Sequence, residues 1–235
     1  MPSFDIVKES SVEDTFRVEM VKSSFDVSTE HSKEHFIGEI PIEGMEWKIG
    51  LIVGPSGSGK STIARELFGI SPSPIPHSAK SVIDDMPKGV SFDEISKAFY
   101  SVGFASVPSW LKPYDVLSNG ERTRVDLAYH LLSPEQTIVF DEYTSVLDRK
   151  VAQTASMAIC KSIHNSSKRF IAVSCHYDII EYLNPDWIYD TSTMTFSEYH
   201  PSEPKKKPSV SVDATGTNGN VLGNIIISTQ TSQRA

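Results

Sequence analysis

The chain has 235 residues, 39% hydrophobic and 9% aromatic, enough to bury a core and unlike the composition of disordered or fibrous proteins. Its 30 Asp and Glu outnumber 22 Lys and Arg, and the net charge of −8 opposes nonspecific binding to phosphate backbones, so any nucleic-acid contact is expected to be indirect. Cys160 and Cys175 form no CxxC or Cys/His cluster, which argues against a disulfide framework or a zinc site and predicts two reduced, buried thiols.

Residues 1–14 carry no strong pattern. Phe16, Val18 and Met20 alternate with Arg17 and Glu19, which predicts a half-buried strand, and a second strand is expected over residues 36–42. After the Glu43-Gly44 turn, the apolar run 47–53 predicts a buried central strand. A helix should begin at Lys60, run through Ile63, Ala64 and Leu67, and stop near Gly69, because the proline-rich stretch 71–76 cannot continue it. Ser91 and Glu94 form a capping box ahead of Ile95, Phe99 and Val102, which share a helical face with Phe92, and open a small helical insert over about 88–132. A helix over 122–132, a strand over 137–140, a helix over 151–164 and a strand over 170–174 follow. This alternation predicts an α/β fold with a largely parallel sheet. Residues 201–235, rich in Ser, Thr, Gly, Asn and Pro and carrying Lys205-Lys206-Lys207, read as a flexible, solvated tail. No apolar run approaches the roughly 18 residues of a membrane span, and the N-terminus lacks the order of a signal peptide, so a cytoplasmic location is expected.

Gly54-Pro55-Ser56-Gly57-Ser58-Gly59-Lys60-Ser61 fits G-x-x-x-x-G-K-[ST] between a predicted strand and a predicted helix, the context in which backbone N–H groups cradle phosphates at a helix N-terminus. Lys60 is expected to reach the β- and γ-phosphates and Ser61 a magnesium ion, with Thr62 following in the same cradle. The run Ile138-Val139-Phe140-Asp141-Glu142 ends an apolar strand in two carboxylates: Asp141 can hold the magnesium, and Glu142 can take a proton from, or orient, an attacking water.

Leu117-Ser118-Asn119-Gly120-Glu121 precedes that strand and resembles the LSGGQ signature of ABC-type ATPases; read by structure alone it is a helix cap. The segments 141–148, from Asp141-Glu142 to Asp148, and Ser174-Cys175-His176 resemble the Walker B, D-loop and switch-histidine segments of that family in order and spacing. The resemblance covers about residues 15–200 and implies a P-loop NTPase of the ABC type, with a mostly parallel central sheet, an N-terminal antiparallel β subdomain and the helical insert. It also implies ATP and Mg²⁺ as ligands and an ATP-dependent head-to-tail homodimer. In such a dimer Ser118, Asn119, Gly120 and Glu121 of one chain would complete the site of the other, Asp148 would lie near the seam, and His176 would sense the γ-phosphate. Phe25 is either an adenine-stacking residue or a core aromatic.

The match has departures. Asn119 and Glu121 replace signature residues, Tyr143 stands where proline is usual, and the expected Gln between the phosphate-loop helix and the signature is missing. Asp85 is the expected substitute at the metal. The insert is short for a transporter, and the whole run most resembles soluble ABC ATPases fused to acetyltransferase-like domains, including phage and prophage versions. The resemblance thus implies an ATPase that drives a conformational change in a macromolecular partner, acetyltransferase-like or otherwise, with a role in DNA modification or a phage-related process. The alternatives are the ATPase subunit of a membrane transporter and a nonhydrolysing scaffold gated by ATP.

Overall fold

The computed structural model describes residues 2–10, 14–26, 32–71, 77 and 79–200. The expected tail over 201–235 and most of the 71–76 loop lie outside them.

In chain order the elements are β1 (Ser3–Ser10), α1 (Phe16–Phe25), β2 (Ser32–Glu39), β3 (Ile49–Val53), α2 (Lys60–Phe68), α3 (Phe92–Ser101), α4 (Val107–Trp110), α5 (Asn119–Leu132), β4 (Thr137–Phe140), α6 (Arg149–His164), β5 (Arg169–Ser174), α7 (Ile180–Leu183), β6 (Trp187–Asp190) and β7 (Thr195–Glu198). Five strands form one sheet in the order β4-β5-β3-β6-β7, parallel except for β7, which runs antiparallel to β6. A separate antiparallel pair, β1 with β2, is in register from Ser3 opposite Glu39 to Ser10 opposite Ser32. The mostly parallel α/β architecture is as expected.

Because side chains alternate across a sheet, each central strand feeds two cores. Ile49, Leu51, Val53, Ile138, Phe170 and Ala172 pack on one face, with α3, α5 and α6 supplying Phe99, Val125, Ala128, Ala152 and Ile159. Ile52, Val139, Ile171 and Val173 pack on the other, with Ile63 and Ala64 of α2, Phe4 of β1, and Trp187 and Tyr189 of β6. Burial on both faces explains why β3 reads as an unbroken apolar run. Gly50 sits where that run crosses Trp187, and a Cβ there would lie 2.0 Å from the indole. Only glycine lets the ring lie flat against the strand.

Several expectations are corrected. The alternation of Phe16, Val18 and Met20 belongs to α1, a helix whose N-cap Thr15 accepts the Val18 N–H, with Glu19 in the first turn and Lys22 in the last. These charges suit the helix dipole. None of the side chains of α1 is buried, and Phe25 is 73% exposed, so it is not a core aromatic. The expected strand over 36–42 is instead β2, ending at Glu39. β1, β6 and β7 went unpredicted. Cys160 is only half-buried and Cys175 is exposed, so the two buried thiols are not found.

Candidate nucleotide site

Strand β3 ends at Val53, and the chain turns through the glycine-rich loop into α2. The helix starts at Lys60 with Gly59 as its N-cap at φ +83°, a left-handed conformation. A Cβ at Gly59 would also meet the Phe36 ring at 2.6 Å, so β2 packs closely on the loop here. The loop is anchored just past the end of β6: Ser58 Oγ lies 2.5 Å from Thr191 Oγ1, and Thr191 donates both its N–H and its hydroxyl to the Val53 carbonyl. Lys60 Nζ donates to the Pro55 carbonyl at 2.6 Å, which folds the ammonium over its own loop.

Over this loop opens a cavity of about 330 Å³. Ser56, Gly57, Gly59, Lys60, Ser61 and Thr62 line it from the loop, Asp141, Glu142 and Ser145 from the end of β4, and Val173, Ser174 and Cys175 from the end of β5. The cavity thus lies at the carboxyl ends of parallel strands, where open α/β sheets bind ligands. Ser61 Oγ donates to Asp141 Oδ1 at 2.8 Å, bringing two residues far apart in sequence together at the mouth of the loop. A hydroxyl and a carboxylate oxygen side by side are hard donors of the kind Mg²⁺ accepts, and this ion takes few protein ligands when phosphates complete its shell. The donor set fits.

Glu142 is held by the turn that follows β4. Its φ is +51°, its N–H donates to Asp141 Oδ1 at 2.9 Å, and Ser145 Oγ donates to its carboxylate at 3.4 Å. Tyr143, the departure from the usual proline, is fully buried between Phe140 and Phe170, donates its N–H to the Val173 carbonyl and shares a hydroxyl contact with Ser156. Burial raises its phenolic pKa, so the ring stays neutral while it clamps the turn onto the core. Thr144 follows at φ +71°, entirely buried.

His176 stands just past β5. It does not line the cavity itself, but its Nε2 is 3.6 Å from Sγ of the cavity-lining Cys175, and its Nδ1 is 3.3 Å from Thr144 Oγ1. Burial, then the nearby Arg149 guanidinium, lowers its pKa against the opposing pull of Asp178, which favours a neutral ring. Arg149 is itself bidentate on the Asp178 carboxylate, tying the start of α6 to the segment after His176.

The remaining expected residues lie away from this cavity. Asp85 is buried: its Oδ1 accepts the Ala79 N–H at 2.7 Å and its Oδ2 is 3.5 Å from Nδ1 of His77, itself stacked on Tyr114 and paired with Asp126. This carboxylate braces the helical insert and is not among the cavity's lining residues. Ser118 caps α5 and, with Asn119, is exposed. Ser118 Oγ and Glu121 form a capping box, the Ser118 N–H donating to the Glu121 carboxylate at 3.0 Å and holding its pKa below the usual range. Gly120 is half-buried against Leu147, and Asp148 is the exposed N-cap of α6, accepting from Lys150 N–H. Gly54 is buried at the loop's start, and Pro55 presents its carbonyl to Lys60.

Sequence reasoning missed Lys8 and Glu34, cross-strand neighbours on β1 and β2 that also line the cavity. Nothing in their local pattern marks them, because only the pairing of two distant strands brings them there.

The fold is shared with solved structures. A dimeric bacterial ABC transporter cassette, MJ0796, superposes with a TM-score of 0.53 over 79% of this chain and 94% of its own, at 14% identity. The fold is that of an ABC ATPase cassette. RNase-L Inhibitor gives a TM-score of 0.50 over 62% of this chain and 36% of its own, at 22% identity. In sequence the chain is 29% identical over 154 residues to the zinc import ATP-binding protein ZnuC 2 of Aliivibrio fischeri, a match covering 56% of this chain and 63% of that protein. No family model matches the chain. The match spans less than two thirds of that relative's length. Among the described residues no helix is long and apolar enough to cross a membrane.

Proposed function

We propose that this cassette binds Mg-ATP in the cavity over Gly54–Thr62 and hydrolyses it between two copies arranged head to tail. The observation that carries the reading is the 2.8 Å contact of Ser61 Oγ with Asp141 Oδ1 at a cavity also lined by Lys60 and Glu142. Ser61 and Asp141 would hold the magnesium, which supplies neutralisation of phosphate charge when bound. The loop N–H groups and the dipole of α2 bind the phosphates, and Lys60 exchanges the Pro55 carbonyl for a phosphate oxygen. Glu142 takes the proton of a water whose oxygen attacks the γ-phosphorus as the bond to the β-phosphate oxygen breaks. His176 contributes an imidazole toward the γ-phosphate. The cap Ser118-Asn119-Gly120 belongs over the neighbouring copy's phosphates, where the N–H groups of Asn119 and Gly120, in the first turn of α5, meet an anion.

ATP closing the pair and hydrolysis reopening it would move a partner. The relative ZnuC 2, named as a zinc import ATP-binding protein, favours membrane subunits of an importer as that partner. A soluble macromolecular load is the other reading. Phosphate release from Mg-ATP by the purified chain tests the core of this: turnover lost in Glu142→Gln with ATP still bound supports it, and absence of both binding and turnover in the wild-type chain overturns it.

A further inference from the structure

Thr144 combines three features that packing alone does not call for. It is a β-branched residue at φ +71°, where such residues are outliers; its side chain is polar yet wholly buried; and its hydroxyl touches the His176 ring. Strain of this kind persists where the surroundings over-determine it, and it concentrates at functional sites.

The buried hydroxyls fix the direction of the hydrogen bonds. Thr144 Oγ1 is 3.3 Å from both Ser174 Oγ and His176 Nδ1, and Ser174 Oγ accepts the His176 N–H at 3.1 Å. If Nδ1 carried the ring proton it would donate to Thr144, and whichever hydroxyl then donated across the Thr144–Ser174 contact, the proton of the other would find no acceptor among the described residues. Thr144 is wholly buried and Ser174 is 1% exposed, so either orphaned donor would be costly. In the opposite direction Ser174 donates to Thr144, Thr144 donates to Nδ1, and every buried proton has an acceptor.

We propose that Thr144 is a positioning residue that holds His176 in the tautomer with Nδ1 bare and Nε2 protonated, so that the ring offers an N–H donor on the side of Cys175 and the nucleotide cavity. The proposal rests on the role given above to His176. A neutral ring in the other tautomer would turn a lone pair toward phosphate oxygen and repel it. The charged neighbours of the ring, Arg149 and Asp178, are paired with each other, leaving the hydroxyl relay as the direct contact on Nδ1.

The test is nitrogen NMR of the imidazoles in the nucleotide-free chain, with His176 identified by the signals lost in His176→Gln. Wild-type chain should show a bare Nδ1 and a protonated Nε2 for this ring near neutral pH, Thr144→Ser the same, and Thr144→Val a tautomer mixture, because valine keeps the shape and removes the hydroxyl. In phosphate release, Thr144→Val should lose about tenfold or more in kcat with KM for ATP changed by less than about threefold, and Thr144→Ser should recover most of the rate. A protonated Nδ1 in the wild-type chain, or a ring spectrum and kcat unchanged in Thr144→Val, overturns the proposal. The spectra need no nucleotide, so they judge the tautomer independently of whether the chain hydrolyses ATP.

Discussion

In the function proposed above Lys60 serves binding and Glu142 chemistry, and their variants should separate accordingly. Lys60→Ala removes the cation that faces the phosphates, and calorimetry should show ATP affinity reduced by about tenfold or more, the worth of a charge-assisted hydrogen bond. Unchanged affinity would remove Lys60 from the cradle. Glu142→Gln leaves the loop intact, so ATP should bind as before while kcat falls by about 10²-fold or more, the span of a lost general base. His176 adds a pH effect. Its pKa is lowered in the folded chain, chiefly by burial, so below about pH 6.5 the unfolded chain takes up a proton that the folded chain resists. Stability contributed by the neutral ring is therefore present above that pH, falls as pH drops through it, and levels off below the lowered folded value. Denaturation of His176→Gln should show a shallower loss between pH 7 and 5.5 than the wild-type chain; equal slopes would contradict the assignment.

The two capping boxes give a matched pair at the scale of elements. Ser91 with Glu94 opens α3 and Ser118 with Glu121 opens α5, with the same reciprocal bonds. Ser91→Ala and Ser118→Ala should each cost about 1 kcal/mol in denaturant unfolding. Only Ser118→Ala should also slow phosphate release, because its hydroxyl and helix end are assigned to the neighbouring copy's nucleotide; equal rates in the two variants would make the signature a cap and nothing more. At the sheet, Gly50→Ala should destabilise by about 2 kcal/mol or more through the clash with Trp187, seen as a lower midpoint in urea. What could be read from sequence follows the same physics. The proposal for the site starts from the glycine-rich loop, Asp141 and Glu142 because loop, strand end and carboxylates are contiguous in sequence, and β3 and β5 were legible because burial on both faces writes an unbroken apolar run. β6 and β7 are four residues each, too short for a period to emerge, and α1 was misread because three alternating residues satisfy a strand and an exposed helix alike. Lys8, Glu34 and the Thr144 relay depend on contacts between distant segments, and the burial of the Asp85 side chain beside His77 likewise leaves no local mark.

At the level of the whole molecule, half of the proposed machinery is assembled within one copy and half points outward. The loop, Ser61, Asp141 and Glu142 gather at one cavity, whereas Ser118 and Asn119 stand exposed and line no part of it. In the proposed pair a second copy, turned head to tail, would bring the two halves together without any new element, and nucleotide trapped at both seams would hold the pair by mass action. Slowing hydrolysis should therefore favour the closed pair. The most direct test is light scattering on Glu142→Gln with and without Mg-ATP, with ATP occupancy measured in the same sample. We expect a monomer alone and a dimer with one ATP per chain, the dimer failing to form when Ser118→Ala and Gly120→Asp are added. A chain saturated with ATP that keeps the mass of a monomer would contradict the account.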